Sequence, residues 1–278
     1  MKSVLISCVT HNSYKELGDY LETINSAAQK ASDICTVSVV VADNSTTKKN
    51  VDISKYTNIN IEIKEVENLG YFGSSQKSIE YLYPDKIKLF DFVIISNVDI
   101  KLDSSFIVKL CEVETTNVGW IVNREFTHAK NKEENPMYIS RISKSKLQIL
   151  KILYSFPLLY AFYEKCIYPI RQKKKQNYLF SNQNIYAGHG SVIILTKNFI
   201  DKNFPFNYPC FLYGEEIFIA ELVIKSNLKT IFIPSIYVEN ISSVSTGKIL
   251  NNSKCKMLKK SCNMLLEYFF TENKYTDN

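Results

Sequence analysis

The chain has 278 residues, 45% of them hydrophobic, 13% aromatic and 22% charged. Eight glycines and seven prolines exclude a collagen-like or linker-like protein, and the aromatic content argues against disorder. The length is enough to bury a core without disulfides or a structural metal, and it fits either two domains or one large α/β domain.

The net charge of +6 is unevenly spread. Residues 141–175 carry nine basic side chains (Arg141, Lys144, Lys146, Lys151, Lys165, Arg171, Lys173, Lys174 and Lys175) against one acid, Glu164, which leaves the remainder at −2. A nucleic-acid binder with a basic surface throughout would not look like this, and no nucleic-acid partner is expected. The seven cysteines are scattered, with no CxxC and no Cys/His cluster at zinc spacing. That usage predicts free thiols in a reducing, cytoplasmic setting. The apolar run 4–9 is too short for a signal-peptide core.

In chain order, apolar β-branched runs predict strands at 3–10, 36–42, 59–66, 91–97 and 118–123, buried on both faces as in a parallel sheet. Helices are predicted at 13–31, opened by a Ser13-Tyr14-Lys15-Glu16 capping box, at 74–83 and at 104–115. This alternation implies an α/β layered fold, in which ligands bind beyond the carboxyl ends of the strands. The loops at those ends are Thr10-His11-Asn12-Ser13, Asp43-Asn44-Ser45-Thr46, Asn68 to Gly73, and Asn97-Val98-Asp99. Any one of them could be an ordinary turn or cap. Four at one sheet edge predict a nucleotide-sized pocket.

Residues 124–180 interrupt the alternation. The stretch 147–170 is apolar and aromatic but broken by Lys151, Pro157, Glu164, Lys165 and Pro169, so it does not read as a spanning helix. It reads as one or two amphipathic helices in a membrane interface, with a homodimer contact or packing on the core as the competing readings. A turn and buried strand follow at 185–196, a helix at 211–226, a strand at 229–234, then Tyr237-Val238-Glu239-Asn240 and a Ser/Thr loop at 242–246, and an amphipathic helix at about 251–270 with a frayed tail.

Asp99, just past a strand, suits a divalent cation bridging a diphosphate. Glu215 and Glu216 are adjacent, so on a helix their side chains diverge by ~100° and cannot form a metal pair. Walker, GxGxxG and nucleophile-elbow motifs do not occur.

The ordered set VTHNS (9–13), VVVADNST (39–46), ENLGYFGSSQKSI (67–79), ISNVDI (95–100) and FLYGEEIFIAE (211–221) resembles the family 2 glycosyltransferases, in their rhamnosyl- and galactosyl-transferring branch. HGS (189–191) matches part of that family too. The resemblance covers roughly 1–123 and 185–246. It implies a GT-A fold: a mostly parallel central sheet flanked by helices over 1–250, a basic and apolar helical insertion at 124–184, and a C-terminal helix and tail at 251–278. It implies that Thr10, Asn12, Asp43, Asn68, Gly70, Tyr71, Gln76, Asn97 and Asp99 hold the nucleotide, and that Asp99 and Asn240 hold Mg²⁺ or Mn²⁺. His189, Gly190 and Ser191 would face the sugar or acceptor. Glu216, with Glu215 beside it, would be the base that deprotonates the acceptor hydroxyl in an inverting transfer. Val98 stands where the family has Pro, Glu216 where Asp is usual, and Asn240 where His is common.

The implied protein is a cytoplasmic glycosyltransferase, peripheral on the inner face of the membrane. It would use a UDP- or dTDP-sugar, and a lipid-linked cell-surface glycan would be its acceptor; a homo-oligomer is a further expectation. Two rivals are a catalytically silent nucleotide-sugar-binding scaffold and a sugar-phosphate nucleotidyltransferase. The latter needs a Gly- and Arg-rich loop after the first strand, which THNSYKE lacks.

Overall fold

A computed structural model describes residues 1–167, 181–241 and 251–271. Arg171, Lys173, Lys174, Lys175, the Ser/Thr loop 242–246 and the tail from 272 lie outside the described residues. The ten strands are β1 (Lys2–Thr10), β2 (Cys35–Asp43), β3 (Asn60–Glu65), β4 (Phe92–Asn97), β5 (Ile100–Leu102), β6 (Val118–Thr127), β7 (Lys132–Glu133), β8 (Gln183–Ile185), β9 (Val192–Thr196) and β10 (Lys229–Asn240). They form one sheet in the order β3-β2-β1-β4-β9-β6-β10-β5, with β7 beside β6 and β8 beside β10.

Pairing fixes the directions. β1, β2, β3 and β4 are mutually parallel, and β9 runs against both β4 and β6. β6 is therefore co-directional with β4, and β10 is parallel to β6. Six strands thus end on one edge of the sheet, and β9 begins there. This brings Thr10, Asp43, Asn97, Thr127, Asn240 and the His189-Gly190-Ser191 turn together from across the sequence.

Both faces of the sheet are covered. Val4, Ile6, Cys8 and Ile94 pack on one face beneath α1 (Tyr14–Lys30) and α3 (Phe106–Cys111). Leu5, Val93, Ile95 and Trp120 pack on the other beneath α2 (Gly70–Leu82), α6 (Lys197–Asn203), α7 (Glu215–Lys225) and α8 (Asn251–Phe269). Successive strand residues point to opposite faces, so the unbroken apolar runs fill both layers. β3 departs from the expectation of two buried faces: it is the sheet edge, and its residues are mostly exposed.

Several boundaries also differ. Ser13 does not cap α1, because its hydroxyl turns back to the His11 carbonyl (3.4 Å) and the capping box does not form. α2 starts at Gly70, four residues before the predicted start. α3 ends at Cys111, and Glu114 then captures the Thr116 amide and hydroxyl (3.0 and 2.7 Å) in a turn that replaces the last helical residues. β10 runs unbroken through Pro234 because its register against β6 shifts between Ile233 and Tyr237. Within 124–184, residues 124–127 continue β6. The helices there are α4 (Lys144–Leu153) and α5 (Pro157–Phe162), separated at the proline. Arg141 anchors the start of this segment through a fork of bonds to Glu221 on α7 (2.8 and 2.6 Å), which Tyr186 also reaches (2.7 Å).

Candidate active site

The first part of the site is a braced set of loops. Asp43 ends β2 and accepts from the Ser45 amide and the Tyr14 hydroxyl, both at 2.9 Å, with the Lys48 ammonium at 3.4 Å. Burial opposes its charge, but those donors and Lys48 outweigh it and hold the carboxyl below the usual aspartate value. Asn12 has φ 58 and ties the loop after β1 to the loop after β2: its amide donates to Ser45 Oγ (2.8 Å) and its Oδ1 accepts from the Thr47 amide (3.1 Å). Asn44 reaches on to Asn68 (3.3 Å) and Ser74 (3.1 Å), and Asn68 Oδ1 accepts from the Gly70 amide (3.3 Å). Tyr71 donates to the Ile95 carbonyl at 2.8 Å, which fixes the start of α2 to β4. Gln76 is not joined to this set; its amide donates to Glu80 on its own helix (2.6 Å).

Gly70 is a close approach. It has φ +81, and a Cβ there would lie 1.7 Å from the Phe211 carbonyl oxygen. An L side chain would add left-handed strain to a backbone clash, together about 2–5 kcal/mol. Gly70→Ala is therefore expected to lower the melting temperature by several degrees and to weaken ligand binding at this edge; thermal denaturation with and without nucleotide reads both.

The second part is acidic. Glu215 and Glu216 open α7. The helix starts at Glu215 because Tyr213 and Gly214 both have positive φ (69 and 92) and cannot continue it backwards, so 211–214 is a loop where the sequence predicts helix. Burial raises both carboxyl groups above the usual glutamate value; for Glu215 the Glu216 charge adds to this, and for Glu216 the His189 charge opposes it. The two differ in surroundings. Glu215 is buried, with the Tyr208 hydroxyl 3.4 Å away. Glu216 lies against Gly190, where a Cβ would sit 2.7 Å from its Oε1. Gly190 is thus what leaves room for that carboxylate.

Behind Gly190 is a buried polar network that the sequence did not disclose. Glu125 on β6 is fully buried and accepts from Ser191 Oγ (2.5 Å), Asn240 Nδ2 (3.1 Å) and His189 Nδ1 (3.1 Å). Burial alone would raise Glu125, but the His189 charge and these donors hold it below the usual value. His189 loses by burial and gains more from Glu125, so it is pushed up to about 9. Its backbone amide donates to Asn135 Oδ1 (2.6 Å), and Asn135 is itself tied to the Asn123 carbonyl (2.8 Å). Glu125 and Asn135 are the site residues that motif reading missed. The available signal was phase: Ile121, Asn123 and Glu125 share one face of a central strand, and Ile121 is core.

Asp99 follows β4, and its carbonyl accepts from the Ile241 amide (3.0 Å), which sets it beside the end of β10. Burial pushes its carboxyl up to about 6, and Glu125 adds to this. Four buried oxygens at this edge have no hydrogen-bond partner among the described residues: Asp99 Oδ1, Asn240 Oδ1, Thr10 Oγ1 and Thr127 Oγ1. Buried oxygens without partners are costly in a finished interior and are what a bound ligand or cation would satisfy. Asp99 and Asn240 fit a hard cation such as Mg²⁺, which takes one or two protein oxygens and completes its shell with phosphates and water. Among the described residues no group of three His, Cys, Asp or Glu side chains could hold a metal by itself, so most ligands would have to come from the substrate.

No protein-family model matches the sequence, and no curated protein matches it. Solved structures do match. S. aureus TarS 1-349 in complex with UDP-GlcNAc superimposes with a TM-score of 0.56 at 11% identity, over 99% of this chain and 76% of that one. The same protein with UDP gives 0.50 at 12% identity, over 96% and 72%. GalNAc-T7 with UDP, GalNAc and Mn²⁺ gives 0.54 at 12% identity, over 90% of this chain and 45% of that one. At such identities the likeness is one of fold. The chain has the GT-A fold, a mixed α/β architecture around a mostly parallel sheet.

Proposed function

We propose that this chain is an inverting, metal-assisted glycosyltransferase of the family 2 kind, in its rhamnosyl- and galactosyl-transferring branch. It moves a sugar from a UDP- or dTDP-sugar to a hydroxyl of a lipid-linked glycan during polysaccharide assembly on the cytoplasmic face of the membrane. One observation supports this above the rest: unpartnered buried oxygens of Asp99, Asn240 and Thr10 share a sheet edge with an acid pair whose carboxyl groups are raised. The fold, and the UDP, UDP-GlcNAc and Mn²⁺ in the matched structures, agree with it.

The braced loops around Asn12, Asp43, Asn68 and Gly70 hold the nucleotide, with Asn97 beside them. The Asp43 carboxylate accepts two hydrogen bonds beside its ion pair with Lys48, and a carboxylate has about four lone-pair sites, so a further bond to base or ribose is within its capacity. Asp99 and Asn240 would hold the cation, which would neutralise charge on the diphosphate. Glu216 takes the proton of the acceptor hydroxyl. The acceptor oxygen then forms its bond to the anomeric carbon as the bond to the diphosphate oxygen breaks, and that electron pair leaves with the nucleoside diphosphate. A base is most effective with its pKa near the working pH, and burial shifts Glu216 upward in that direction. Glu215, buried against Tyr208, positions the start of α7.

Thermal denaturation with UDP, dTDP, GDP and CDP, each with and without Mn²⁺, tests the site. A ligand at ~100 times its Kd adds about 2.7 kcal/mol, or roughly 5–10 °C for a chain of this size. A metal-dependent shift with UDP or dTDP that is lost in Asp99→Ala is expected. No shift with any nucleotide would remove the donor assignment.

A further inference from the structure

One patch of the surface does not fit a free protein. Ile149 and Ile152 of α4, Phe156 between the helices, and Leu158, Leu159 and Phe162 of α5 are 52–89% exposed. Their neighbours Leu147 and Tyr160 are buried, and Leu150 and Tyr154 pack on the core. Both helices therefore carry apolar side chains on the outer as well as the inner side, and α5, PLLYAF, has no charged residue and is of the kind normally covered all round. The outward face is not loose packing. Arg141 pins its base to Glu221 (2.6 Å), Tyr154 and Tyr160 stack edge to face at 5.2 Å, and α8 lies behind it, with Lys254 reaching Glu164 (2.6 Å).

Charge selects the covering. Lys144 and Lys165 are exposed in the same segment as the patch, and the one acid of the segment, Glu164, is occupied by Lys254 and the Tyr160 hydroxyl (3.2 Å). The covering must offer apolar depth and negative charge together. A second copy of the chain does not: a two-fold contact sets a patch against itself, so these lysines would face one another across the seam, which is unfavourable. A bilayer with anionic headgroups offers both. Among the described residues no helix is long and apolar enough to cross it, so the contact lies in the interface plane.

We propose that the outer face of α4–α5 docks on an anionic lipid bilayer, with Leu158, Leu159, Phe162 and Ile152 entering the acyl boundary and the exposed Lys144 and Lys165 meeting the headgroups. This uses no residue of the acidic sheet edge, so it stands or falls apart from the transferase reading.

Flotation of the full chain with vesicles of phosphatidylcholine, alone or mixed with phosphatidylglycerol, tests it. Binding is expected only to the mixed vesicles and to weaken with salt. Leu158→Ser/Leu159→Ser/Phe162→Ser is expected to weaken it about tenfold or more, and Lys144→Glu/Lys165→Glu by a similar factor. The melting temperature should be unchanged in both, because the changed side chains lie outside the core. Should the triple variant not fold, Leu158→Gln, at the most exposed of these positions, must still weaken binding severalfold. Wild-type binding in the serine variant, equal binding to neutral vesicles, or no vesicle binding would overturn the proposal. So would a wild-type dimer in light scattering that the serine variant dissolves, because the patch would then belong to a second copy.

Discussion

Glu216→Gln is expected to leave nucleotide binding intact and to slow sugar transfer by about a hundred- to ten-thousandfold, the range for loss of a positioned base. Glutamine has the same shape and fits beside Gly190, where there is no room for even a Cβ, but it cannot take the acceptor proton. The loss should therefore fall on kcat with little change in the nucleotide Kd, measured by single-turnover transfer and by titration. Glu215→Gln should cost less, because its partner is Tyr208 and not the cleft beside Gly190. The pH profile carries the same information. The base works ionised, so wild-type kcat should fall as pH drops through the raised Glu216 value, at a higher pH than an ordinary glutamate would give. A Glu216→Gln protein with unchanged turnover, or a wild type that binds nucleotide and never turns over, would favour a silent scaffold.

Glu125→Ala is expected to be the most damaging change to stability at the site. It removes a fully buried carboxylate that accepts from Ser191, Asn240 and His189, and it leaves the imidazolium without its partner. Breaking a buried pair in this way costs about 3–5 kcal/mol, or roughly 6–20 °C in melting temperature for a chain of this size. The linkage has a definite sign. His189 is raised from 6.5 to about 9, so its contribution is complete below pH 6.5 and is lost as pH rises through about 9. Glu125 is lowered, so its contribution is present above the ordinary glutamate value and is lost as pH falls through the lowered one. Wild-type melting temperature should thus decline between pH 6.5 and 9, and the decline should flatten in Glu125→Ala. Parallel curves for the two proteins would mean that the pair does not govern His189.

What was legible in the sequence is what depends on local pattern. The runs SVLISCVT, TVSVVVA and DFVIISN are apolar in both phases, and each is a central strand. Polar residues directly after them mark the edge where Thr10, Asp43 and Asp99 gather. What was not legible depends on partners distant in sequence. Glu125 looks like an ordinary polar position on a strand until His189, Ser191 and Asn240 arrive from 64, 66 and 115 residues away. Gly70 reads as a loop glycine because the reason it starts a helix is the Phe211 backbone. The segment 211–214 reads as helix because it runs straight into the helically spaced apolar positions that follow it, whereas its conformation is set by the positive φ of Tyr213 and Gly214. The Ser13 capping box failed for a similar reason: a matching spacing does not guarantee the bond.

Gly214 has one more consequence. A Cβ there would fall 1.9 Å from Ser261 Oγ on α8, so the last helix rests directly on the residue that precedes the acid pair. All ten strands lie before residue 250. A gene trimmed at that point to obtain a minimal catalytic core would encode the complete sheet, yet it would strip the wall from the turn that aims Glu215 and Glu216. The cut would also uncover the core that Cys262, Met264 and Leu265 fill, so the last helix belongs to the fold and to the acid pair alike.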